Sequence, residues 1–264
     1  MFAVFTITGC GNEVNHSPIM EHSADSHLSV GITFDQPGVG QRLADDTVRG
    51  FDVDVAKYIA QQLKVPENAI VWKQVSLADR EVAIERGEVD FIAAAYSITA
   101  KRQERVAFAG PYYIATQDLL VRQEEKSIHG PSDLASRRLC SVKGTTSAER
   151  VRQQYASKVE LIEYPQFDMC VTALLAAQVD AVTTDDLILA GYLAKNPELL
   201  RLVGSKFGEE RYGIGLRKGD EEGRRRVNEA IQLMISSGAW KAALGRNFPD
   251  QEFQPSPPPV VGQG

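Results

Sequence analysis

The chain has 264 residues, 24% of them charged and 43% hydrophobic, and carries a net charge of −6 at pH 7. That length buries a sizeable core and is sufficient for two lobes. The acidic balance, with no basic stripe, excludes the electrostatic footprint of a nucleic-acid binder, and no run of about 18 consecutive apolar residues is present to form a transmembrane helix.

The chain opens on Met1-Phe2-Ala3-Val4-Phe5-Thr6, an apolar stretch with no basic segment before it and shorter than a secretory h-region of about 7 to 15 residues. Ile7-Thr8-Gly9-Cys10 resembles a bacterial lipobox, the pattern at which a peptidase cleaves before a cysteine whose sulfur is acylated. We expect residues 1–27 to be a truncated signal and a polar tether, lipidated at Cys10; a tail with a stray thiol is the alternative. Cys140 and Cys170 are then left as an even pair, which an exported protein is expected to oxidise, the alternative being two small buried thiols.

From Leu28 the pattern is globular. Leu28-Ser29-Val30-Gly31-Ile32 alternates as a strand does and empties into Asp35-Gln36-Pro37-Gly38-Val39-Gly40, a Gly/Pro loop expected to face a ligand. Asp52 is positioned to cap a helix in which Val55, Ala56, Ile59, Ala60 and Leu63 recur at helical spacing. A strand follows at Ile70-Val71-Trp72, then a helix capped by Ser76 and closed by Gly87. Strands and helices alternating at short intervals predict an open α/β sheet of mainly parallel strands, whose ligands bind beyond the strands' carboxyl ends.

The stretch 90–113 is read as the centre of the site. A short buried strand ends in Tyr96-Ser97-Ile98-Thr99 and opens a basic helical turn through Lys101, Arg102 and Arg105. Hydroxyls, free helix N–H groups and the planar fork of Arg102 outline an anion site; the same residues also read as a capped helix with a solvated basic face. After Tyr113, Asp118-Leu119-Leu120-Val121-Arg122 reads as a crossing strand. A second α/β unit follows, with strands at Arg138-Leu139-Cys140-Ser141-Val142 and Leu161-Ile162-Glu163-Tyr164, helices opening at Ser147 and Phe167, and a buried strand ending at Thr184-Asp185. Arg211-Tyr212-Gly213-Ile214-Gly215-Leu216 reads as a second crossing strand; a helix from Val227 to Gly238 and a Pro-rich, disordered or extended tail at 251–264 close the chain.

These residues resemble the extracellular solute-binding proteins of bacterial ABC importers for polar amino acids, most closely the glutamate-binding branch. The resemblance spans roughly residues 28–248 and rests on five markers in order: Gly50-Phe51-Asp52-Val53-Asp54, the Ser-Ile-Thr-x-x-Arg run at 97–102, Phe108-Ala109-Gly110-Pro111-Tyr112, Lys143-Gly144-Thr145-Thr146 and Thr184-Asp185-Asp186. It implies the two-lobe α/β periplasmic-binding-protein fold of type II, with lobe 1 at 28–119 and 214–250, lobe 2 at 120–213, two crossing strands between them and a ligand in the cleft. Hinges are expected near Leu120 and Gly213.

The same resemblance implies that Arg102 binds the ligand's α-carboxylate with Ser97, Thr145 and Thr146, that Asp185 and the Ala95 carbonyl take its ammonium, and that Arg80 selects a side-chain carboxylate. Asp35, Tyr96 and Lys143 are further candidates. Two arginines and one aspartate match the charges of glutamate or aspartate, with glutamine the nearest alternative; an ion pair of Arg80 with Asp79 or Glu81, and helix capping by Asp185 in competition with Asp186, are the structural alternatives. Many relatives carry an aromatic residue where this chain has Gln36-Pro37-Gly38, so no stacking on the ligand is expected there. His16, His22, His27 and His129 are scattered, Trp72 and Trp240 read as core, and Gly144-Thr145-Thr146 lacks the Gly-Lys-Ser/Thr ending of a P-loop; neither metal nor cofactor is expected. The expected protein is a monomeric, lipid-anchored, extracytoplasmic binding protein serving a permease and its ATPase. A receptor-coupled sensor, and a dehydratase built on the same fold, are the rival readings.

Overall fold

The computed structural model describes residues 17–249 and 253–262; Cys10 and the lipobox-like segment lie outside the described residues. The first element among the described residues is helix α1 (Pro18–Ala24), where an unstructured tether was expected. Ile19 is fully buried and sits so close to Gly223 that a Cβ there would lie 2.4 Å from the Ile19 Cγ2. One apolar anchor on a seven-residue helix leaves no period to read in the sequence.

Lobe 1 continues with β1 (Leu28–Ile32), a small three-stranded sheet of β2 (Asp35–Gln36), β3 (Gly40–Arg42) and β4 (Val48–Arg49), then α2 (Phe51–Gln62), β5 (Ile70–Gln74), α3 (Arg80–Glu85), β6 (Phe91–Ile92) and the short α4 (Ala100–Gln103). The long strand β7 (Ala107–Arg122) leads into β8 (Arg138–Val142), α5 (Ser147–Gln154), β9 (Glu160–Tyr164), α6 (Phe167–Leu175), β10 (Ala181–Asp185), α7 (Asp186–Lys195) and β11 (Leu200–Leu202). Strand β12 (Phe207–Leu216) returns the chain to α8 (Glu221–Ser236) and α9 (Ala239–Asn247).

Strands joined through helices pair in parallel, β1 with β5 and β6, and β8 with β9 and β10, whereas the small β2-β3-β4 sheet and the pairings of β6, β10 and β11 with the crossing strands are antiparallel. The crossing strands are antiparallel, because the chain traverses the molecule once in each direction: β7 pairs with β12 from Leu216 opposite Ala107 to Phe207 opposite Gln117. This ribbon joins both lobes into one path, β5-β1-β6-β12-β7-β10-β8-β9. Gly213 lies at a register break between Tyr212 and Ile214, whereas Leu120 is paired on both sides, with Val182 and Leu202.

Three local expectations are corrected. Gly50, at φ 137°, holds the N-cap position of α2, leaving Asp52 fully buried in the first turn. Ser76 forms a turn with Asp79 (Oγ to Oδ2, 2.6 Å) and the helix proper starts at Arg80. Helix α8 begins at Glu221 rather than Val227, capped by Asp220, whose carboxylate accepts the Gly223 N–H at 2.8 Å. Cys140 and Cys170 are disulfide-bonded with Cα atoms 5.6 Å apart, within the reach such a bridge requires, and staple β8 to α6. The tail, expected to be disordered or extended, forms no helix or strand over its described residues and ends in a turn at 261–262, but it packs on the body: Phe253 lies on Phe248 with ring centroids 5.3 Å apart, and the Gly262 N–H donates to the Gly110 carbonyl at 2.8 Å. No helix among the described residues is long and apolar enough to cross a membrane.

Candidate functional site

Strands β6 and β10, with the turn after β8, bring their carboxyl ends to a common seam between the lobes. The cavity there is lined by Gln36, Arg80, Ala95, Ser97, Arg102, Thr145, Thr146, Phe167 and Asp185, among others. Its free space is about 10 Å³, on the order of one water molecule, so the lobes are closed upon each other.

Arg80, the first residue of α3, is 2% exposed. Its Nε donates to the Leu77 carbonyl at 3.0 Å and its Nη1 to those of Ala94 and Ala95 at 3.1 and 3.4 Å, all within lobe 1. The remaining Nη2 reaches across to the Gly144 carbonyl at 3.3 Å. Arg102 is placed by α4, whose Thr99 cap accepts the Arg102 N–H at 3.2 Å; its Nη1 donates to the Ser97 carbonyl at 2.7 Å, and its Nη2 to the same Gly144 carbonyl at 2.9 Å. Glu81 sits 3.3 Å from the Arg102 Nε. Arg80 has no carboxylate at ion-pair distance among the described residues, so the alternative of a pair with Asp79 or Glu81 fails. Burial, followed by repulsion from Arg102, pulls its pKa down to about 9. Tyr96 presents its ring to both guanidiniums, at 4.3 Å from Arg80 and 5.0 Å from Arg102, and does not line the cavity.

Gly144 makes this seam. At φ 86°, it lies so close to lobe 1 that an added Cβ would stand 2.6 Å from the Ala78 Cα. Thr145 and Thr146 line the cavity beside it, although the Thr145 hydroxyl bonds back to the Val142 carbonyl at 2.8 Å. Lys143 is exposed and is not among the lining residues, because the turn directs it to solvent.

Asp185, at the end of β10, is 5% exposed. One carboxylate oxygen accepts from the Tyr212 hydroxyl at 2.6 Å and the other, Oδ1, has no partner among the described residues. Burial, then repulsion from Glu210, raises its pKa to about 8. It occupies the N-cap position of α7 without capping it. Asp186 is committed elsewhere, accepting from the Thr116 hydroxyl at 2.7 Å and lying 3.0 Å from the Lys206 Nζ. Ser97 is held by its neighbours, through Ile98 N–H to Arg211 (2.8 Å) and Gly213 N–H to Tyr96 (2.9 Å).

Ala95 adopts φ 44°, a left-handed conformation that costs energy for a residue with a Cβ. Asp52 holds it there: one carboxylate oxygen accepts the Ala95 N–H at 2.7 Å and the other the Tyr112 hydroxyl at 2.7 Å. Complete burial pushes the pKa of Asp52 up to about 7.

Asp35 is not a lining residue. Its carboxylate accepts the Phe167 N–H at 2.9 Å and its carbonyl the Tyr192 hydroxyl at 2.5 Å, so it latches lobe 1 to lobe 2. Phe167, Thr184 and Ile188 also line the cavity without having been singled out as ligand residues, and Gln36 lines it from the 35–40 loop that was expected to face a ligand. Among the described residues no group of three or more His, Cys, Asp and Glu is arranged to hold a metal ion.

Residues 28–250 match the family model of the bacterial extracellular solute-binding proteins, family 3. The chain is 39% identical over 253 residues to the glutamate-binding protein GluB of Corynebacterium glutamicum, covering 92% of this chain and 85% of that one. It is 30% identical over 251 residues to the ABC transporter glutamine-binding protein GlnH of Bacillus subtilis, with 91% of each covered. In structure it is similar to an ancestral arginine-binding protein bound to glutamine, with a TM-score of 0.79 at 29% identity over 85% of this chain and 99% of that one.

Asp52 and Asp185 hold their protons in the folded protein to higher pH than in an unfolded chain. Folding takes up protons across this window, so the stability they allow is intact at and below about pH 4 and falls as the pH rises through 7 and 8. Thermal melting should show the midpoint falling from pH 6 to pH 8, with a shallower fall in Asp52→Asn, which keeps an acceptor for Ala95 and cannot ionise.

Proposed function

Because the chain belongs to the bacterial extracellular solute-binding proteins of family 3, we propose that it captures an acidic α-amino acid outside the cytoplasm, glutamate first and aspartate next, and presents it to the permease and ATPase of an ABC importer. The observation that carries the acidic ligand is Arg80, a buried cation with three donors spent inside its own lobe, one turned to the cleft, and no carboxylate partner among the described residues. A ligand carboxylate is a better partner for that Nη2 than a neutral peptide oxygen, since it sets a full opposite charge against the guanidinium in a setting screened little by water.

In this reading Arg102 takes the α-carboxylate, with Ser97 and the α5 start at Thr145 and Thr146. The free Oδ1 of Asp185 and the Ala95 carbonyl take the ammonium, and Arg80 takes the side-chain carboxylate. Glu81 already offsets part of the charge of Arg102, which makes Arg80 the discriminating group between glutamate and glutamine. The glutamate-binding relative from Corynebacterium supports the acid; the glutamine-binding relative from Bacillus makes the amide its natural competitor. The protein captures and releases without chemistry on the ligand. Opening and closing pivot on the β7–β12 ribbon, which supports the division into 28–119 with 214–250 and 120–213. Lipidation at Cys10 would hold this monomer at the outer face of the cell membrane beside its permease.

Titration calorimetry with glutamate, aspartate and glutamine tests the assignment. Arg80→Ala should weaken glutamate by about 30- to several-thousand-fold, the cost of leaving a buried carboxylate unpaired, while glutamine changes far less. A mutant that still prefers glutamate contradicts the role of Arg80.

Asp185 must be ionised to pair with an ammonium, yet burial keeps it protonated up to about pH 8. Binding should therefore release a proton below that pH, and affinity should rise from pH 6 to pH 8, by up to tenfold per unit. Calorimetry in buffers of different ionisation enthalpy measures the released proton directly.

A further inference from the structure

Only two residues that line the cavity carry buried side-chain polar atoms without a partner among the described residues: Asp185, through Oδ1, and Gln36, through both Nε2 and Oε1. Gln36 is 0% exposed. A buried amide with its donor and acceptor both unmet is costly, and no packing argument calls for glutamine here, since an apolar side chain of the same length would fill the space without that cost.

The backbone holds this amide firmly. Gln36, Pro37, Gly38 and Val39 form a tight turn closed by the Val39 N–H to the Gln36 carbonyl at 3.1 Å, with Pro37 at the second position and Gly38 left-handed at φ 75° in the third. Gln36 also pairs with Gly40 across β2 and β3. Lobe 2 presses on the turn from the other side: the Asp35 carboxylate holds the Phe167 N–H, and a Cβ on Gly191 would lie 1.9 Å from the Pro37 carbonyl oxygen. Closure of the lobes therefore fixes the position from which the Gln36 side chain enters the cavity.

We infer that Gln36 is a ligand-contacting residue that reads the zwitterion of the amino acid, its Oε1 accepting from the ammonium beside Asp185 and its Nε2 donating to a carboxylate oxygen. A group that offers a donor and an acceptor together is what an amide with both atoms unmet can satisfy, and an α-amino acid offers both. The inference rests on the amino-acid-capture reading above, and adds a lobe 1 contact to the arginines and Asp185.

The test is Gln36→Met, an unbranched side chain of similar length that makes no such hydrogen bonds, compared with the wild type by calorimetry against glutamate, aspartate and glutamine and by melting without added ligand. The amide should contribute to binding and nothing to the fold. The variant should lose about 10- to 100-fold in affinity for the best-bound ligand, while its melting temperature without ligand stays at or above that of the wild type. Affinity within threefold of wild type overturns the inference, as does a lower melting temperature, which would reveal a structural bond. A wild type that prefers glutamine overturns the acidic-ligand reading alone, because the loss in Gln36→Met is then read on glutamine. A wild type that binds none of the three overturns both.

Discussion

Two guanidinium groups converge on one neutral oxygen at the seam of this molecule. The Nη2 atoms of Arg80 and Arg102 both donate to the Gly144 carbonyl, at 3.3 and 2.9 Å, although like charges brought together in a buried setting repel. The protein tolerates this because the cations are otherwise well solvated by its own backbone: Leu77, Ala94 and Ala95 face Arg80, Ser97 faces Arg102, and the Tyr96 ring lies against both. Among the described residues no carboxylate stands at ion-pair distance from Arg80. The Gly144 carbonyl that stands there instead is a neutral acceptor, which offsets the guanidinium charge less than a carboxylate would.

The supporting structure exists to hold those groups still. Carboxyl ends of parallel strands deliver Ala95 and Asp185, the crossing ribbon delivers Tyr212 to Asp185, and Asp52 pins the strained Ala95 peptide from a helix that contributes nothing else to the cavity. Burial does double duty here. It raises the pKa of Asp185 and lowers that of Arg80, so each group is biased toward its neutral form until an opposite charge stands beside it.

Much of this was legible in the sequence. The strand and helix grammar, the two crossing strands at 118–122 and 211–216, the disulfide pair and the arginines followed from local patterns and from the family resemblance. What was misread depends on contacts between distant residues. Asp52 has the chemistry of a cap, but its partners Ala95 and Tyr112 lie 43 and 60 positions away, and Gly50 takes the cap because an added Cβ there would stand 2.1 Å from the Val39 carbonyl. Asp35 has the chemistry of a ligand residue, but the closed lobes give it the Phe167 N–H, 132 positions on. Its neighbour Gln36 faces the cavity instead, a consequence of β alternation in a two-residue strand too short to show a period.

The most direct measurement is a high-resolution structure of the protein with glutamate bound. The account predicts that the Nη2 atoms of Arg80 and Arg102 leave the Gly144 carbonyl for the two ligand carboxylates, and that the Asp185 Oδ1 lies within hydrogen-bonding distance of the ammonium. A complex in which both arginines keep the Gly144 carbonyl, with the ligand's side-chain carboxylate held elsewhere, would contradict it.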